Sequence, residues 1–182
     1  MTSRLRRVVA LAAATIALAA GIYAGIAAYP VRRSEARLPS AALASLFALR
    51  LNDARGQTQA FDAWRGKTLV VNFWATWCPP CREEMPYFSR LSDRYAPHGV
   101  QFVGVALDSA ENVSAFARQV PVSYPLLIAQ AEGIELTRQL GNSHLALPYT
   151  LIIGASGETL LARLGRLPES ELETVLQKTL AR

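Results

Sequence analysis

The chain has 182 residues, a net charge of +5 and two cysteines, and 51% of its residues are hydrophobic. This length suffices for one domain whose core needs no disulfide or metal to hold it, and the apolar content excludes a wholly disordered chain. Two cysteines exclude both a disulfide framework and a four-cysteine zinc site. The basic excess raises nucleic acid as a partner, and the position of the charge decides that question.

The net positive charge of the chain comes entirely from the first 40 residues. Six arginines and one glutamate occur there, whereas residues 41–182 carry 13 basic and 13 acidic residues. The remaining chain therefore has no surplus of cations with which to hold phosphates. We expect no nucleic acid among its partners, and we attribute the charge to targeting.

An uncharged run over residues 8–29 follows three of these arginines. As a helix it would be about 33 Å long, enough to cross a hydrocarbon core of about 30 Å. The preceding arginines favour a cytoplasmic N-terminus, although three more follow the run. The alternative is a cleaved signal peptide, but its apolar region would be shorter, and the best Ala-x-Ala-like site, at 25–27, is poor. We predict an uncleaved membrane anchor over residues 1–29.

A tether and one domain are predicted after the anchor. Residues 30–44 mix charges, prolines and small residues, which is typical of a linker, and residues 45–182 then form the folded domain. Both interpretations of the N-terminus place that domain outside the cytoplasm. We therefore expect a single-pass protein of the inner (cytoplasmic) membrane, with its domain on the periplasmic or extracytoplasmic side.

The domain alternates strands and helices. In chain order, the predicted elements are strands over 47–51, 57–61 and 68–75, a helix over 79–95, a strand over 100–107, a helix over 110–119 capped by Ser109, a short strand over 124–128, a helix over 132–140, a hairpin of strands over 149–153 and 158–164, and a last helix over 168–180. The apolar runs at 68–75 and 100–107 are typical of strands buried on both faces. The pattern predicts a mixed α/β sheet with helices on both faces.

A Cys-x-x-Cys pair, Cys78 and Cys81, lies where a buried strand gives way to a helix. A zinc site would need two more ligands, and only His98 and His144 are present, so we expect no metal. A structural disulfide over so short a loop would stabilise little. The strand-to-helix junction favours a redox pair over two ordinary buried thiols.

The helix N-terminus supplies the physical reason for redox chemistry. Its unpaired N–H groups and its dipole stabilise an anion, and Cys78 occupies the cap position before Pro79, which needs no N–H partner. A thiolate there has a lowered pKa. Cys81 lies one turn inside the helix, close enough to attack a mixed disulfide on Cys78. We predict Cys78 as the nucleophile and Cys81 as the resolving thiol, with no cofactor beyond this pair.

The residues around the cysteines resemble a known family. Residues 70–86, Val-Val-Asn-Phe-Trp-Ala-Thr-Trp-Cys-Pro-Pro-Cys-Arg-Glu-Glu-Met-Pro, are similar to the active-site stretch of membrane-anchored, extracytoplasmic thioredoxin-like proteins of the TlpA/ResA type. Residues 61–67 resemble the family's lead-in to the strand, and 147–153 with Gly157 resemble its proline loop and hairpin. The resemblance implies a thioredoxin-like α/β fold with an N-terminal β-hairpin and a central insertion, preceded by one transmembrane helix.

The resemblance also implies which residues bind substrate. Pro148 matches a proline whose preceding peptide bond is cis, and Leu147 before it offers backbone atoms to an extended substrate. Trp77 is expected to shield the disulfide and to contact partners. The residues implied in substrate binding are Trp77, Pro79, Pro80, Leu147 and Pro148.

Glu84 matches an acidic residue characteristic of this group. It lies three residues after Cys81 on the same helix face, where a carboxyl can accept or deliver the proton of Cys81 and can also disfavour a nearby thiolate. The alternative is an ordinary first-turn glutamate that complements the dipole, as we expect for Glu83. Cytoplasmic thioredoxins carry a buried aspartate where this chain has Asn72, and since Asn cannot carry a proton, Glu84 is the substitute we expect to be catalytic.

The resemblance implies a thiol–disulfide oxidoreductase that works mainly as a reductase. Its implied partners are client proteins with disulfides, namely apocytochrome c or copper-centre assembly proteins, and a transmembrane thiol electron donor, because the compartment is oxidising. Two alternatives remain open: a copper-binding assembly factor using Cys78, Cys81 and His144, and an oxidase that donates disulfides. A thiol peroxidase would need a lone cysteine in a different setting. Only the reduction potential separates a reductase from an oxidase.

Overall fold

The computed structural model describes residues 38–181. Its helices and strands are α1 (Ser40–Ala48), β1 (Arg50–Asn52), β2 (Thr58–Ala60), β3 (Thr68–Trp74), α2 (Pro79–Tyr95), β4 (Val100–Ala106), α3 (Ala110–Gln119), β5 (Leu126–Ile128), α4 (Gln130–Gln139), β6 (Tyr149–Ile153), β7 (Thr159–Leu164) and α5 (Glu169–Leu180). Short 3₁₀ turns at Phe61–Trp64 and Ala96–His98 precede β3 and β4.

A five-stranded mixed sheet in the order β5-β4-β3-β6-β7 forms the centre of the domain. Strands β3, β4 and β5 are parallel, β6 pairs antiparallel with β3, and β7 pairs antiparallel with β6. Strands β1 and β2 form a separate antiparallel hairpin, joined to the sheet edge by a bridge between Asp53 and Leu127. In this register Asn72 of β3 lies between Gly104 of β4 and Thr150 of β6.

Helices cover both faces of the sheet. Helices α2, α3 and α5 bury one hydrophobic cluster against one face, and α1, α4 and the first 3₁₀ turn bury a second cluster against the other. Every residue of β3 is buried, with Val70 and Trp74 in the first cluster and Val71 and Phe73 in the second. The strand is apolar throughout because it meets the core on both sides.

The architecture is the predicted mixed α/β sheet. The β1–β2 pair is the expected N-terminal hairpin, and α3 with β5 forms the central insertion, which adds a third parallel strand beside β4. The predicted helix bounds 79–95 and 110–119 are those observed. Ser109 caps α3 as predicted, because its hydroxyl accepts a hydrogen bond from the Asn112 N–H at 3.2 Å.

The predicted strand over 47–51 is wrong in its first part. Residues Ser40–Ala48 form α1, and only Arg50–Asn52 form β1. The apolar residues also fit a helix, since Ala42 and Leu46, four residues apart, are both buried in the second cluster. Helix-favouring alanines and leucines, together with this burial, decide the conformation.

The predicted tether over 30–44 extends too far. Helix α1 begins at Ser40, and Leu38 packs against the second cluster, so the folded domain begins before the predicted boundary. The predicted anchor over 1–29 lies outside the described residues. Among residues 38–181, no helix is both long and apolar enough to cross a bilayer.

Candidate active site

The two cysteines form a disulfide at the N-terminus of α2. Cys78 is the N-cap residue, with an extended backbone, and Pro79 is the first residue of the helix, where its missing N–H leaves no donor unpaired. Cys81 lies one turn further on and is fully buried. The pair therefore stands where predicted, at a helix N-terminus whose N–H groups and dipole favour a thiolate.

The surface next to the disulfide is apolar and exposed on one side. The Trp77 side chain is 68% exposed, whereas the adjacent Cys78 is only 3% exposed. Pro79 is exposed and Pro80 is half-buried in the first turn of α2. Because exposed aromatic side chains are common at protein interfaces, this surface suits contact with another protein.

Asp108 anchors the loop that leads into the cysteines. Its Oδ2 accepts hydrogen bonds from the Thr76 N–H, at 3.0 Å, and from the Thr76 hydroxyl. Its Oδ1 accepts from the Ser109 N–H at 2.7 Å and from Asn112 Nδ2 at 2.8 Å, at the start of α3. Burial alone would raise the pKa of Asp108, but these hydrogen bonds outweigh it and lower the pKa below its ordinary value. One carboxylate thus ties the active-site loop to the insertion.

Glu84, a residue of α2 three positions after Cys81, is completely buried. Its Oε1 accepts a hydrogen bond from the Leu167 N–H, and its Oε2 accepts one from Asn72 Nδ2 at 3.4 Å. Burial raises the pKa of Glu84 to about 7, although both hydrogen bonds and the charge of Arg166 act to lower it. A carboxyl with this pKa is not an ordinary surface glutamate of the first turn.

Asn72 connects Glu84 to the central strands. Asn72 Nδ2 also donates to the Thr150 hydroxyl on the neighbouring strand, at 3.0 Å. Asn72 is 1% exposed, and its Oδ1 has no hydrogen-bond partner. The residue where cytoplasmic thioredoxins carry an aspartate is therefore a contact of the buried acid here.

The peptide bond between Leu147 and Pro148 is cis, as predicted. Strand β6 begins at the next residue, and Tyr149 pairs with Phe73 near the end of β3. Pro148 therefore lies at the end of the sheet where β3 finishes and the chain leads into the cysteine pair. Leu147 is half-buried and packs beside both hydrophobic clusters.

A buried asparagine holds the loop before Pro148. Asn142 Oδ1 accepts a hydrogen bond from the Ala146 N–H at 3.2 Å, and Asn142 Nδ2 donates to the Ala146 carbonyl at 2.9 Å. Both backbone groups of Ala146 are thus held by one side chain, immediately before Leu147. Leu145 in this loop has a φ of 51° and is 37% exposed, a costly conformation for a leucine and one often found at functional sites.

Asp108 and Asn142 are absent from the predicted site residues. Asp108 carried a usable signal, because it follows β4 closely and the parallel strands β3 and β4 end at the same edge of the sheet. Asn142 follows Gly141 after a helix, which indicates a turn but not the backbone groups that its amide binds.

The two histidines lie on the surface. His144 is exposed in the loop before Pro148, and His98 ends the second 3₁₀ turn. Within the described range 38–181, no three His, Cys, Asp or Glu side chains are grouped so that they could hold a metal ion.

Comparisons with known proteins agree with this geometry. Residues 34–176 match the Redoxin family. The chain is 31% identical over 129 residues to the thiol-disulfide oxidoreductase ResA of a Bacillus cereus strain, which covers 70% of this chain and 72% of that protein. It is 30% identical over 128 residues to ResA of Geobacillus kaustophilus, covering 70% and 71%.

Two solved structures share the fold. A putative thiol:disulfide interchange protein DsbE from Chlorobium tepidum has a TM-score of 0.65 and 27% identity, covering 72% of this chain and 92% of that chain. A thioredoxin-related protein from Neisseria meningitidis serogroup B has a TM-score of 0.64 and 30% identity, covering 72% and 99%.

These relatives confirm the predicted thioredoxin-like fold and the resemblance to the TlpA/ResA type. Proteins of this kind work with a redox-active cysteine pair rather than a separate cofactor, and such a pair is bonded at the N-terminus of α2. The chain belongs to the Redoxin family and is a thiol-disulfide oxidoreductase of the ResA type.

Proposed function

We propose that this protein reduces the disulfides of client proteins outside the cytoplasm, while residues 1–29 hold it in the inner membrane. The observation that carries the proposal is Cys78 at the N-cap of α2, adjacent to exposed Trp77, with Cys81 and Glu84 buried behind it. Relatives named thiol-disulfide oxidoreductases support the reaction class. The uncharged N-terminal run and its flanking arginines support the membrane attachment.

In the proposed reaction, the reduced cysteine pair transfers two electrons to one client disulfide. The Cys78 thiolate attacks a client sulfur, so that a mixed disulfide forms and the first client thiolate leaves. The Cys81 thiolate then attacks the Cys78 sulfur, and the second client thiolate leaves. The client gains two electrons and two protons, and the protein is left with the Cys78–Cys81 disulfide seen in the structure.

Glu84 is proposed to take the proton of Cys81 in the second step. Cys81 is fully buried, so bulk water cannot reach its thiol, and Glu84 is the ionisable group three residues along the same helix face. A pKa of about 7 lets this carboxyl both accept and release a proton at neutral pH. Glu84 is therefore assigned the role of a general base that releases its proton again after each turnover.

Client recognition is proposed to use the surface beside the disulfide. An extended client segment would contact Trp77, Pro79 and Pro80 and would pair with the backbone of Leu147 next to Pro148. The clients we propose are apocytochrome c or copper-centre assembly proteins. A transmembrane thiol donor would reduce the cysteine pair again, because the compartment itself is oxidising.

The reduction potential tests the direction of this reaction. The protein is equilibrated with glutathione buffers, and its free thiols are alkylated and counted by mass. A potential near or below about −220 mV supports the reductase, whereas a value near about −120 mV, that of a strong oxidant, would overturn it. Cys81→Ser serves as the control, since it cannot close the disulfide.

A further inference from the structure

The carboxyl group of Glu84 is enclosed by hydrogen-bond donors. Its Oε1 faces the Leu167 N–H, and its Oε2 faces the Nδ2 group of Asn72. Both of these groups can only donate hydrogen bonds. Because Glu84 is completely buried, bulk water does not compete for either oxygen. The arrangement therefore fits an ionised carboxylate.

A protonated Glu84 does not fit the same arrangement. A proton on the side of Oε1 that faces Leu167 would point at the Leu167 N–H, and a proton on the side of Oε2 that faces Asn72 would point at the amide hydrogens. Either position sets two donors against each other and leaves a buried hydroxyl without an acceptor, which is unfavourable. Protonation therefore requires an acceptor that neither the Leu167 N–H nor the Asn72 amide, in its present orientation, provides.

Asn72 holds the acceptor that a protonated Glu84 needs. Asn72 Oδ1 is buried without a partner, while Nδ2 makes both contacts, to Glu84 and to the Thr150 hydroxyl. A half-turn of the amide exchanges the positions of Oδ1 and Nδ2, so that Nδ2 becomes the atom without a hydrogen-bond partner. The Thr150 hydroxyl both donates and accepts, so it can pair with Asn72 in either orientation.

Three further groups act on Glu84 electrostatically or through its partner. Arg166 favours the carboxylate form. The Tyr87 hydroxyl already donates its hydrogen bond to the Leu167 carbonyl, at 2.6 Å. The Tyr124 hydroxyl is buried without a hydrogen-bond partner and interacts electrostatically with Glu84, so it is the rival acceptor for the proton.

We propose that the side-chain amide of Asn72 turns as Glu84 gains or loses its proton, so that Asn72 and Thr150 hold this proton on Oε2. Both are positioning residues, since they act through Glu84. The consequence for catalysis rests on the proposed role of Glu84: the proton from Cys81 arrives at a carboxyl whose hydrogen bonds are complete in both states.

Nuclear Overhauser contacts in the oxidised, full-length wild-type protein in detergent micelles test the turn directly. Asn72 Nδ2 lies 3.0 Å from the Thr150 hydroxyl oxygen, so its protons should contact the Thr150 side chain when Glu84 is ionised. We expect this contact to be lost at low pH, with the midpoint at which Glu84 titrates. Contacts of equal strength on both sides of that midpoint would overturn the proposal.

Infrared spectra identify the acceptor. The carbonyl band of protonated Glu84, recognised by its absence in Glu84→Gln, should move to higher wavenumber in Asn72→Leu, which matches Asn in size but accepts no hydrogen bond. Tyr124→Phe is the matched control and should leave the band in place. An unmoved band in Asn72→Leu, or a band moved only in Tyr124→Phe, would overturn the proposal.

The two experiments are independent of the proposed function. Both use the oxidised protein and require no client or exchange activity. If Asn72→Leu fails to fold, the Overhauser measurement on the wild type still decides. Unchanged thiol exchange in Glu84→Gln would instead refute the catalytic role of Glu84 and leave the turning of Asn72 standing.

Discussion

Replacement of Glu84 by Gln should remove a pH dependence from the stability of the fold. In the folded protein, burial raises the pKa of Glu84 from 4.5 to about 7. A carboxyl with a raised pKa binds its proton more tightly in the folded state than in the unfolded state. The stabilisation that the folded state gains from this tighter proton binding is therefore complete below about pH 4.5. It is lost as the pH rises through about 7.

The size of this effect follows from the two pKa values. Each pH unit of difference corresponds to about 1.4 kcal/mol, so the raised pKa of Glu84 costs about 3 kcal/mol of stability above neutrality. Gln has nearly the same shape and does not ionise. The free energy of unfolding of Glu84→Gln, relative to wild type, should therefore rise by about 3 kcal/mol between about pH 4 and about pH 8.

Urea unfolding of the oxidised proteins across this pH range measures the difference. Glu83→Gln is the control, because Glu83 is exposed on the same helix and its ion pair with Arg166, at 3.7 Å, is also exposed. This control should stay within about 0.5 kcal/mol of wild type at every pH. A Glu84→Gln difference that does not vary with pH would refute the assignment of a buried, proton-binding carboxyl.

Three further variants probe the rest of the site. Cys81→Ser should trap a client on Cys78 as a mass increase that dithiothreitol reverses, and equal trapping by Cys78→Ser would contradict the assigned roles. Asp108→Asn should lower the free energy of unfolding by about 1–3 kcal/mol at neutral pH, because Thr76 loses a charged acceptor. This deficit should shrink in urea titrations below about pH 3.8, where the unfolded aspartate binds a proton, and a deficit constant with pH would exclude a charge effect. Asn142→Ala removes the two hydrogen bonds that hold the Ala146 backbone next to Leu147. It should raise KM for a protein client several-fold and leave the rate with glutathione disulfide unchanged. Equal losses with both substrates would point to a general structural defect.

Local patterns predicted most of the fold, and the failure at α1 shows where they stop. Helix α2 and strand β3 carry long, uninterrupted signals, and their bounds are those observed or differ by one residue. Around Phe47 the apolar residues satisfy both a period of two and helical spacing. Only the docking of Leu46 and Ala42 against the second cluster decides between them, and a contact between distant segments has no local signal.

The candidate site also has parts that local motifs predict and parts that depend on contacts between distant segments. The cysteine pair and Pro148 belong to compact motifs, so their positions could be predicted from the chain alone. The partners of Glu84 could not, because the Leu167 N–H lies 83 residues further along and a backbone donor has no residue type to recognise it by. The sequence marks Asn72 only as a departure from an aspartate, whereas its hydrogen bonds join two other elements, α2 and β6.

The position of Leu167 also bears on when the surroundings of Glu84 are completed during synthesis of the chain. Leu167 stands between β7 and α5, and its N–H binds Glu84 while its carbonyl accepts from the Tyr87 hydroxyl. A nascent chain that has formed β3 and α2 already contains both cysteines, but Glu84 still lacks this donor. The Leu167 hydrogen bond is one of the interactions that lower the pKa of Glu84 against the effect of burial. A chain truncated before residue 167 would therefore keep both cysteines and Glu84 without this hydrogen bond.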